Sequence, residues 1–412
     1  KEQNITIRKN RITAASTQID VKTAKAALFP SLSFSTSQQV VNRPYQETSS
    51  RVSGSEIISS NSKTSYNGNY GLNASWTLYN GNKRLKTIQQ EKLNNQVAEL
   101  DVATSENNIQ ESIAQVYIQI LYAAESVKVN ESTLQVSIAQ RDRGQELLNA
   151  GSIAKSDFAQ LEAQVSTDRY QLVTAQATLE DYKLQLKQLL ELDGENEMNI
   201  YLPALSDENV LAPLPTKKDV YIRALSLRPE IEASKLNVEA SELGIGIAKS
   251  SYLPTISLSA GIGTNHTSGS DFTFGEQVKN GWNNSIGLSV SVPIFNNRQT
   301  KSAVQKAKLQ YETSMLSLLD EQKTLYKTIE GLWLDANSAQ QRYAAANEKL
   351  KSTQISYELI SEQFNLGMKN TIELLTEKNN LLQAQQEQLQ AKYMAILNMQ
   401  LLKFYQGDQL AI

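Results

Sequence analysis

Residues Gly71–Asn80 read GLNASWTLYN, and residues Gly287–Asn296 read GLSVSVPIFN. A second pair of segments matches in the same order, because AKAALFP at Ala24–Pro30 returns as AKSSYLP at Ala248–Pro254. A long internal repeat has to be found before any single element, since overlooking it misassigns the whole fold. The chain therefore consists of two halves of about 200 residues with one plan: helix, strand, loop, strand, very long helix, second helix.

Strict alternation of apolar and small polar side chains predicts four β-strands. Leu72, Ala74 and Trp76, for example, alternate with asparagine, serine and threonine. The polar segments within the two strand pairs, residues 44–67 and the one that contains His266, are expected to be loops. The predicted strands cover about residues 31–41, 70–79, 255–263 and 284–295.

Two structures fit this alternation: hairpins that pack one face on a soluble core, or a membrane barrel with an apolar lipid face and a polar lumen. The barrel is favoured because the strands are about ten residues long and their second face is small and polar. Aromatic residues also gather near the strand ends, as they do at membrane interfaces. The residues assigned to these interfaces are Phe29, Tyr70, Trp76, Tyr79, Tyr252, Trp282 and Phe295.

Four strands are too few for a closed barrel, since about eight is the practical minimum. Open edges are not tolerated in lipid, because each unpaired backbone group costs several kcal/mol there. Membrane strands would therefore have to be pooled from several copies of the chain. Two copies or three would both suffice, and the alternation does not decide between them.

Proline-free stretches predict a helix over about residues 5–29 and a long helical hairpin in each half, at about 83–191 and 298–405. The first helix of each hairpin spans roughly 65 residues and would be about 100 Å long. Such length requires coiled-coil packing, so the apolar stripes are assigned to the core and the charged faces to solvent. Residues 1–191 then form the first structural repeat, 192–215 an irregular linker with three prolines, and 216–412 the second repeat.

Composition excludes several kinds of chemistry. The sequence has no cysteine, so a thiol nucleophile, a thiolate metal site and a disulfide are all impossible. The single histidine, His266, has no catalytic partner beside it in the sequence, and a net charge of −3 gives no basis for binding nucleic acid. No run of 18 apolar residues is present. We expect a protein that is not an enzyme and that uses no cofactor or metal.

Two matched turns join the helices of the hairpins, LNAGSIAKSDF at Leu148–Phe158 and FNLGMKNTIEL at Phe364–Leu374. Each has a glycine at the end of the first helix and an acid six residues later. Glycine ends helices because it adopts the left-handed conformation without penalty, and an early acid favours the positive end of the next helix. Ser156 and Thr371 are the expected N-caps of the returning helices.

The chain resembles the TolC-type outer-membrane efflux proteins, the outer membrane factors of tripartite efflux and type I secretion systems. The resemblance rests on the duplicated element order, the two glycine turns, RPEI at Arg228–Ile231, ALFPSL at Ala27–Leu32 and PIFN at Pro293–Asn296. It covers essentially the whole chain and implies a mainly α fold with a transmembrane β-barrel. In that family three chains form a 12-stranded barrel in the outer membrane of a Gram-negative bacterium and a long α-helical coiled-coil tunnel through the periplasm.

The same resemblance implies a passive exit duct that receives its cargo from a periplasmic adaptor (membrane fusion) protein and an inner-membrane transporter. It assigns adaptor docking to the turns and the periplasmic entrance to residues just beyond them. Glu373 is expected to favour cations there, and Lys369 to stabilise the closed state. Thr376 departs from the family, which often has a further acid at that position. The docking residues are Gly151, Ser152, Gly367 and Met368, and the entrance residues are Asp157, Lys369, Glu373 and Thr376.

Two other classes of protein compete with the channel. A non-catalytic periplasmic coiled-coil scaffold would explain the long helices, but it leaves four alternating strands with aromatic ends unexplained. An enzyme with a carboxylate pair is disfavoured, because 43 acidic residues place some pairs close together by chance and none has a distinctive sequence context.

Overall fold

A computed structural model describes residues 2–45, 49–53, 56–60, 63–192, 200–201, 210–270 and 272–410. Most of these residues are helical. None of the described helices has the length and hydrophobicity that a membrane-spanning helix requires. The helices are α1 (Ile5–Ala26), α2 (Lys83–Asn149), α3 (Lys155–Leu190), α4 (Lys217–Leu227), α5 (Pro229–Ser250), α6 (Phe274–Asn280), α7 (Gln299–Asn365) and α8 (Thr371–Tyr405). The strands are β1 (Ser31–Asn42), β2 (Ser49–Ser53), β3 (Glu56–Ser60), β4 (Thr64–Asn80), β5 (Thr255–Thr267) and β6 (Asn283–Ser291).

The chain forms two compact units, and each draws on both halves of the sequence. The first unit, which we call the helical unit, contains Lys1–Ala14, Ala98–Ser234 and Ser317–Ile412. The second, which we call the sheet unit, contains Ala15–Val97 and Lys235–Leu316. Sequence repeats and compact units are thus different divisions of the chain, and the division at residues 191 and 216 stays a prediction. Of the predicted linker, Pro203 and its neighbours lie outside the described residues.

The sheet unit contains a four-stranded antiparallel sheet in the order β1-β4-β5-β6. Its central pair joins the two sequence halves, since Ala74 lies opposite Ala260 and Ser75 opposite Ser259. Because β4 comes from the first half and β5 from the second, the strands of both repeats lie in one sheet. Strands β2 and β3 pair only with each other among the described residues.

The strand bounds differ from the prediction for identifiable reasons. Strand β6 ends at Ser291, four residues before the predicted limit, because Pro293 lacks the N–H that a ladder requires. Strand β4 begins at Thr64, and β2 and β3 also lie inside the segment that was expected to be a loop. The start of β4 is mostly polar on both faces, so it lacks the alternation that predicts a strand where one face is apolar.

His266 is not in a loop, which corrects the prediction. It lies in β5 opposite Gly68, and its ring stacks on Tyr70 at 5.9 Å and meets Phe274 edge-on at 5.1 Å between ring centres. A side chain at Gly68 would collide with this ring. The histidine is therefore part of an aromatic cluster near the end of the sheet.

The helical unit is held by a buried apolar core in which α4, α5, α7 and α8 meet. Gly144 in α2 has a packing role, because a Cβ there would lie 2.3 Å from Leu161 of α3. The two helices of the first hairpin approach each other closely at this level. The core residues are Val220, Ala224, Ile231, Leu325, Ile329, Ala336, Leu402 and Tyr405.

Arg228 joins three elements of the helical unit. Its side chain is only 6% exposed and pairs with Glu111 of α2 at 3.0 Å and with Glu230 of α5 at 2.8 Å. The guanidinium carbon also lies 4.2 Å from the centre of the Tyr405 ring in α8. Burial raises the pKa of Glu111, and the charge of Arg228 opposes that shift. The RPEI segment is thus an ionic junction between α2, α5 and α8.

Replacing Arg228 should destabilise the helical unit, because two largely buried carboxylates would lose their shared partner. We expect Arg228→Met to lower the free energy of unfolding by about 3 kcal/mol. The matched control is Arg11→Met, which removes a more exposed pair with Glu106 in the same unit and should cost no more than about 1 kcal/mol. Denaturant unfolding followed by circular dichroism measures both, and equal losses would contradict the role assigned to Arg228.

Candidate functional site

Two turns with nearly the same geometry reverse the chain between the paired helices. We call them the hairpin turns, residues 150–154 between α2 and α3 and residues 366–370 between α7 and α8. Gly151 has a φ of +72° and Gly367 a φ of +75°. In each turn the residue after the glycine donates its N–H to a carbonyl five residues back, which is the Schellman arrangement. These bonds are Ser152 to Leu147 at 2.8 Å and Met368 to Gln363 at 2.9 Å.

The described part of the chain leaves the space around both glycines empty. A Cβ at Gly151 or Gly367 would meet nothing within 4 Å, so each glycine is required by its backbone conformation and not by a close neighbour. Met368 is 70% exposed, and Leu366 beside it is similarly exposed. The second hairpin turn therefore presents apolar side chains that the described residues of one chain leave uncovered.

The acid that follows each glycine is part of a helix cap. The Asp157 carboxylate accepts a hydrogen bond from the N–H of Ala154 at 3.3 Å. At the second turn, Asn370 accepts from the N–H of Glu373 at 2.9 Å, and Glu373 accepts from the N–H of Asn370 at 3.2 Å. The N-caps are thus Ala154 and Asn370, where the backbone is extended.

The predicted caps Ser156 and Thr371 are wrong. Both lie inside the helices, because α3 begins at Lys155 and α8 at Thr371. Thr371 is buried, and its hydroxyl has no hydrogen-bond partner among the residues that the structure describes.

Lys369 and Glu373 form an ion pair at 2.5 Å, one helical turn apart in the same chain. The hydrogen bond from Lys369, followed by that from the backbone of Asn370, lowers the pKa of Glu373. Thr376 donates its hydroxyl to the carbonyl of Ile372 at 2.7 Å, so its side chain is bonded to its own helix. Of the four proposed entrance residues, the structure brings Lys369 and Glu373 together and places Asp157 at the other hairpin turn.

An apolar cluster joins the two hairpins beside the turns. Leu161 of α3, Phe364 of α7 and Leu374 of α8 are nearly inaccessible and pack together. The hairpin turns are thereby held as parts of one packed end of the helical unit.

The seven predicted interface aromatics all belong to the sheet unit. Trp76 donates its indole N–H to the carbonyl of Leu28 at 2.7 Å, and Tyr70 stacks on His266. Phe29 precedes β1 and Phe295 follows β6, so both lie at the ends of edge strands. Side chains with large exposed areas are Phe29, Tyr252, Trp282 and Phe295.

A buried charged pair escaped the sequence analysis. Lys378 of α8 and Asp168 of α3 form an ion pair, and Ser137 of α2 hydrogen-bonds to both. The only sign of this pair in the sequence is that each charged residue stands where the apolar stripe of its helix would place an apolar one. Charged residues are so common in these helices that this sign is easily overlooked.

Substitution of the turn glycines tests whether conformation alone requires them. Gly367→Ala should lower stability by about 1 kcal/mol, because alanine pays a steric penalty at positive φ. Gly331→Ala is the control: this glycine also has nothing within 4 Å of its Cβ position, but it lies inside α7, where alanine should stabilise by about 1 kcal/mol. Thermal melting of both variants gives the sign, and two shifts of the same sign would contradict the interpretation.

Sequence comparison relates this chain to known proteins. A family model described as outer membrane efflux protein matches residues 1–191 and 220–407. Outer membrane efflux protein BepC of Brucella suis biovar 1 (strain 1330) is 24% identical over 290 residues, which cover 70% of this chain and 60% of BepC. Outer membrane protein TolC of Escherichia coli (strain K12) is 23% identical over 311 residues, which cover 73% of this chain and 62% of TolC. The matched part thus spans about three fifths of the length of these two relatives.

The fold also matches solved structures. The outer membrane protein VceC of Vibrio cholerae superposes with a TM-score of 0.79 at 16% identity, over 100% of this chain and 94% of VceC. This likeness concerns the fold, whereas the family match concerns the sequence and includes both repeats. Because that match covers most of the chain, including both hairpin turns and all four strands of the larger sheet, the chain belongs to the outer membrane efflux protein family, a family of outer-membrane channel proteins.

Proposed function

We propose that this chain is the outer-membrane channel of a tripartite efflux or type I secretion system. It passively conducts substrates from a periplasmic adaptor and an inner-membrane pump to the cell exterior. The observation that carries the proposal is the sheet of the sheet unit, whose apolar face lies uncovered. The two structural repeats, residues 1–191 and 216–412, each supply two of its strands and one helical hairpin, and residues 192–215 link them.

The uncovered apolar side chains belong to strands whose other face is small and polar. Ile286 is 78% exposed, and the apolar residues on β1 are also largely exposed. On the polar face, Asn73 donates to the hydroxyl of Ser35 at 3.4 Å across the β1–β4 pair. A lipid-facing apolar side and a hydrated lumen side account for both observations. The exposed apolar residues of these strands include Leu32, Phe34, Leu72, Ile262, Ile286, Leu288 and Val290.

Within the described residues the sheet has two open edges, β1 and β6. Each must pair if the sheet lies in lipid, so edge β1 of one chain joins edge β6 of the next. Three chains then close a 12-stranded barrel, as in the family. Exposed apolar side chains on α3 support contact between copies in the helical unit as well, namely Tyr170, Val173 and Leu184. The long hairpins of the three chains form the coiled-coil tunnel.

The hairpin turns are the docking surface for the adaptor. Gly151, Ser152, Gly367 and Met368 lie where the helices reverse, and the apolar side chain of Met368 is free to enter a partner. The entrance lies just inside the turns, where Lys369 pairs with Glu373. Because this pair neutralises Glu373 within each chain, we expect only a modest cation preference in the unmodified channel.

The mass of the extracted particle is the first test of the proposal. Light scattering, with the detergent contribution subtracted, should give about three chains of 45.8 kDa per particle and an obligatory need for detergent. A monomer or dimer that stays soluble without detergent would leave the four strands unable to close. The alternative of a periplasmic coiled-coil scaffold would then replace the channel.

Ion selectivity in planar bilayers tests the entrance. Lys369→Met should raise the preference for cations because it unmasks Glu373, whereas Glu373→Gln should lower it. A change of one charge per chain at a narrow entrance should alter the permeability ratio several-fold, roughly twofold to tenfold. Thr376→Val is the control and should leave the ratio unchanged, since the Thr376 hydroxyl bonds to its own helix. Unchanged selectivity in both charge variants would remove these residues from the entrance.

A further inference from the structure

Three polar side chains of the helical unit form a buried cluster, which we call the polar layer: Ser137, Asp168 and Lys378. Their exposures are 2%, 1% and 3%. The Lys378 ammonium donates to the Asp168 carboxylate and to the Ser137 hydroxyl, and the Ser137 hydroxyl donates to the same carboxylate oxygen. Gln164 donates to the other carboxylate oxygen at 2.9 Å. The charges of the layer are therefore paired and hydrogen-bonded.

The polar layer interrupts apolar stripes. On α8, Lys378 lies four residues after Leu374 and three before Leu381, both of which are buried. On α3, Asp168 follows buried Leu161 and Val165 with the same spacing of four and three. Alternating steps of three and four mark the core positions of a coiled coil. Lys378 and Asp168 thus occupy core positions that leucine or valine fills elsewhere in the same helices.

Burial makes this arrangement costly unless the charges meet. Desolvation lowers the pKa of Lys378, and its hydrogen bond and charge interaction with Asp168 oppose that shift. A displacement of α8 against α3 would separate the charges and place each of them against apolar neighbours. In coiled coils, one polar core position selects a single arrangement at a cost in stability. Buried ion pairs are in general weak sources of stability, and a role in specificity has to be tested in each protein.

We propose that Lys378 is a positioning residue that fixes one arrangement of the second helical hairpin against the first, through the polar layer. Ser137 and Asp168 come from the first hairpin and Lys378 from the second, so the layer is a direct tie between the two. Lys378 lies in α8 five residues after Glu373, close to the second hairpin turn. The tie therefore sets where the entrance residues stand relative to the first hairpin turn. The part concerning the entrance rests on the proposed function, and the tie itself does not.

The test replaces the charged pair by apolar residues of similar size, Asp168→Leu with Lys378→Met. Such replacements commonly leave stability equal or higher, so a loss of arrangement can be separated from a loss of folding. Because the sequence has no cysteine, Ser156→Cys and Ile372→Cys introduce two unique spin-label sites at the starts of α3 and α8. Electron–electron double resonance on detergent-extracted protein, with labelled chains diluted by unlabelled ones, gives the distribution of the distance between the labels.

We expect a single narrow distribution in the unmodified background. In the apolar double variant the distribution should widen at least about twofold or split, while the thermal midpoint stays equal or rises. A narrow distribution in a stably folded double variant would overturn the proposal. The control is Gln140→Leu with Tyr357→Phe, which removes a partly buried, uncharged hydrogen bond of 2.8 Å between α2 and α7. This control should leave the distribution narrow, and equal widening in it would show that any lost buried contact has the same effect.

A charge-swapped variant, Asp168→Lys with Lys378→Asp, decides the outcome if the apolar variant fails to fold. A narrow distribution in the swapped protein supports the paired charges as the determinant, and a wide one overturns it. Bilayer recordings of the same variants address the entrance separately. If the unmodified protein did not conduct, the proposed function would fail, whereas the distance distributions would still decide the role of Lys378.

Discussion

A helix of 67 residues is stable in water only where other helices cover its apolar stripe. This chain contains two such helices, α2 and α7, and each is followed by a returning partner. Intrinsic helix propensity cannot maintain that length alone, since most helical stability in proteins comes from packing. The features of the helical unit follow from this need: the left-handed glycines that reverse the chain, the glycine that lets α2 approach α3, and the Arg228 junction. Each brings helices side by side so that their stripes are covered.

Each half of the chain reverses its long helix with a hairpin turn, but the residues of the two turns differ. Both hairpin turns end on a left-handed glycine, but the first has Ala154 as its N-cap and the second has Asn370, which completes a reciprocal cap with Glu373. The second turn also carries the Lys369–Glu373 pair and the exposed Met368. Repetition has thus preserved the backbone geometry, whereas the chemistry exposed at the turns has diverged. An asymmetric partner could distinguish two such turns.

Much of this structure could be read from the sequence where one physical rule dominates. Alternation around Leu72 and Trp76 gives a strand because one face is apolar, and glycine in a charged helical context gives the hairpin turns. Prediction failed where two rules overlapped. His266 lies at the end of β5, where the residues on both faces are polar or glycine. Strand β6 ends before Pro293, although the apolar pattern continues past that proline. Lys378 is one lysine among many in the sequence, and only three-dimensional packing shows that Asp168 faces it.

The pairing of β4 with β5 has a consequence for biogenesis. These strands come from opposite halves of the sequence, about 190 residues apart. Within the sheet, their pairing is what joins the first half of the chain to the second. At a synthesis rate of about 5–20 residues per second, the first two strands exist for roughly 10–40 s before their neighbour has been made. During that interval the apolar face and an unpaired edge are exposed together, which is the combination that promotes aggregation. The first half of this chain is therefore prone to aggregate until the second half is complete.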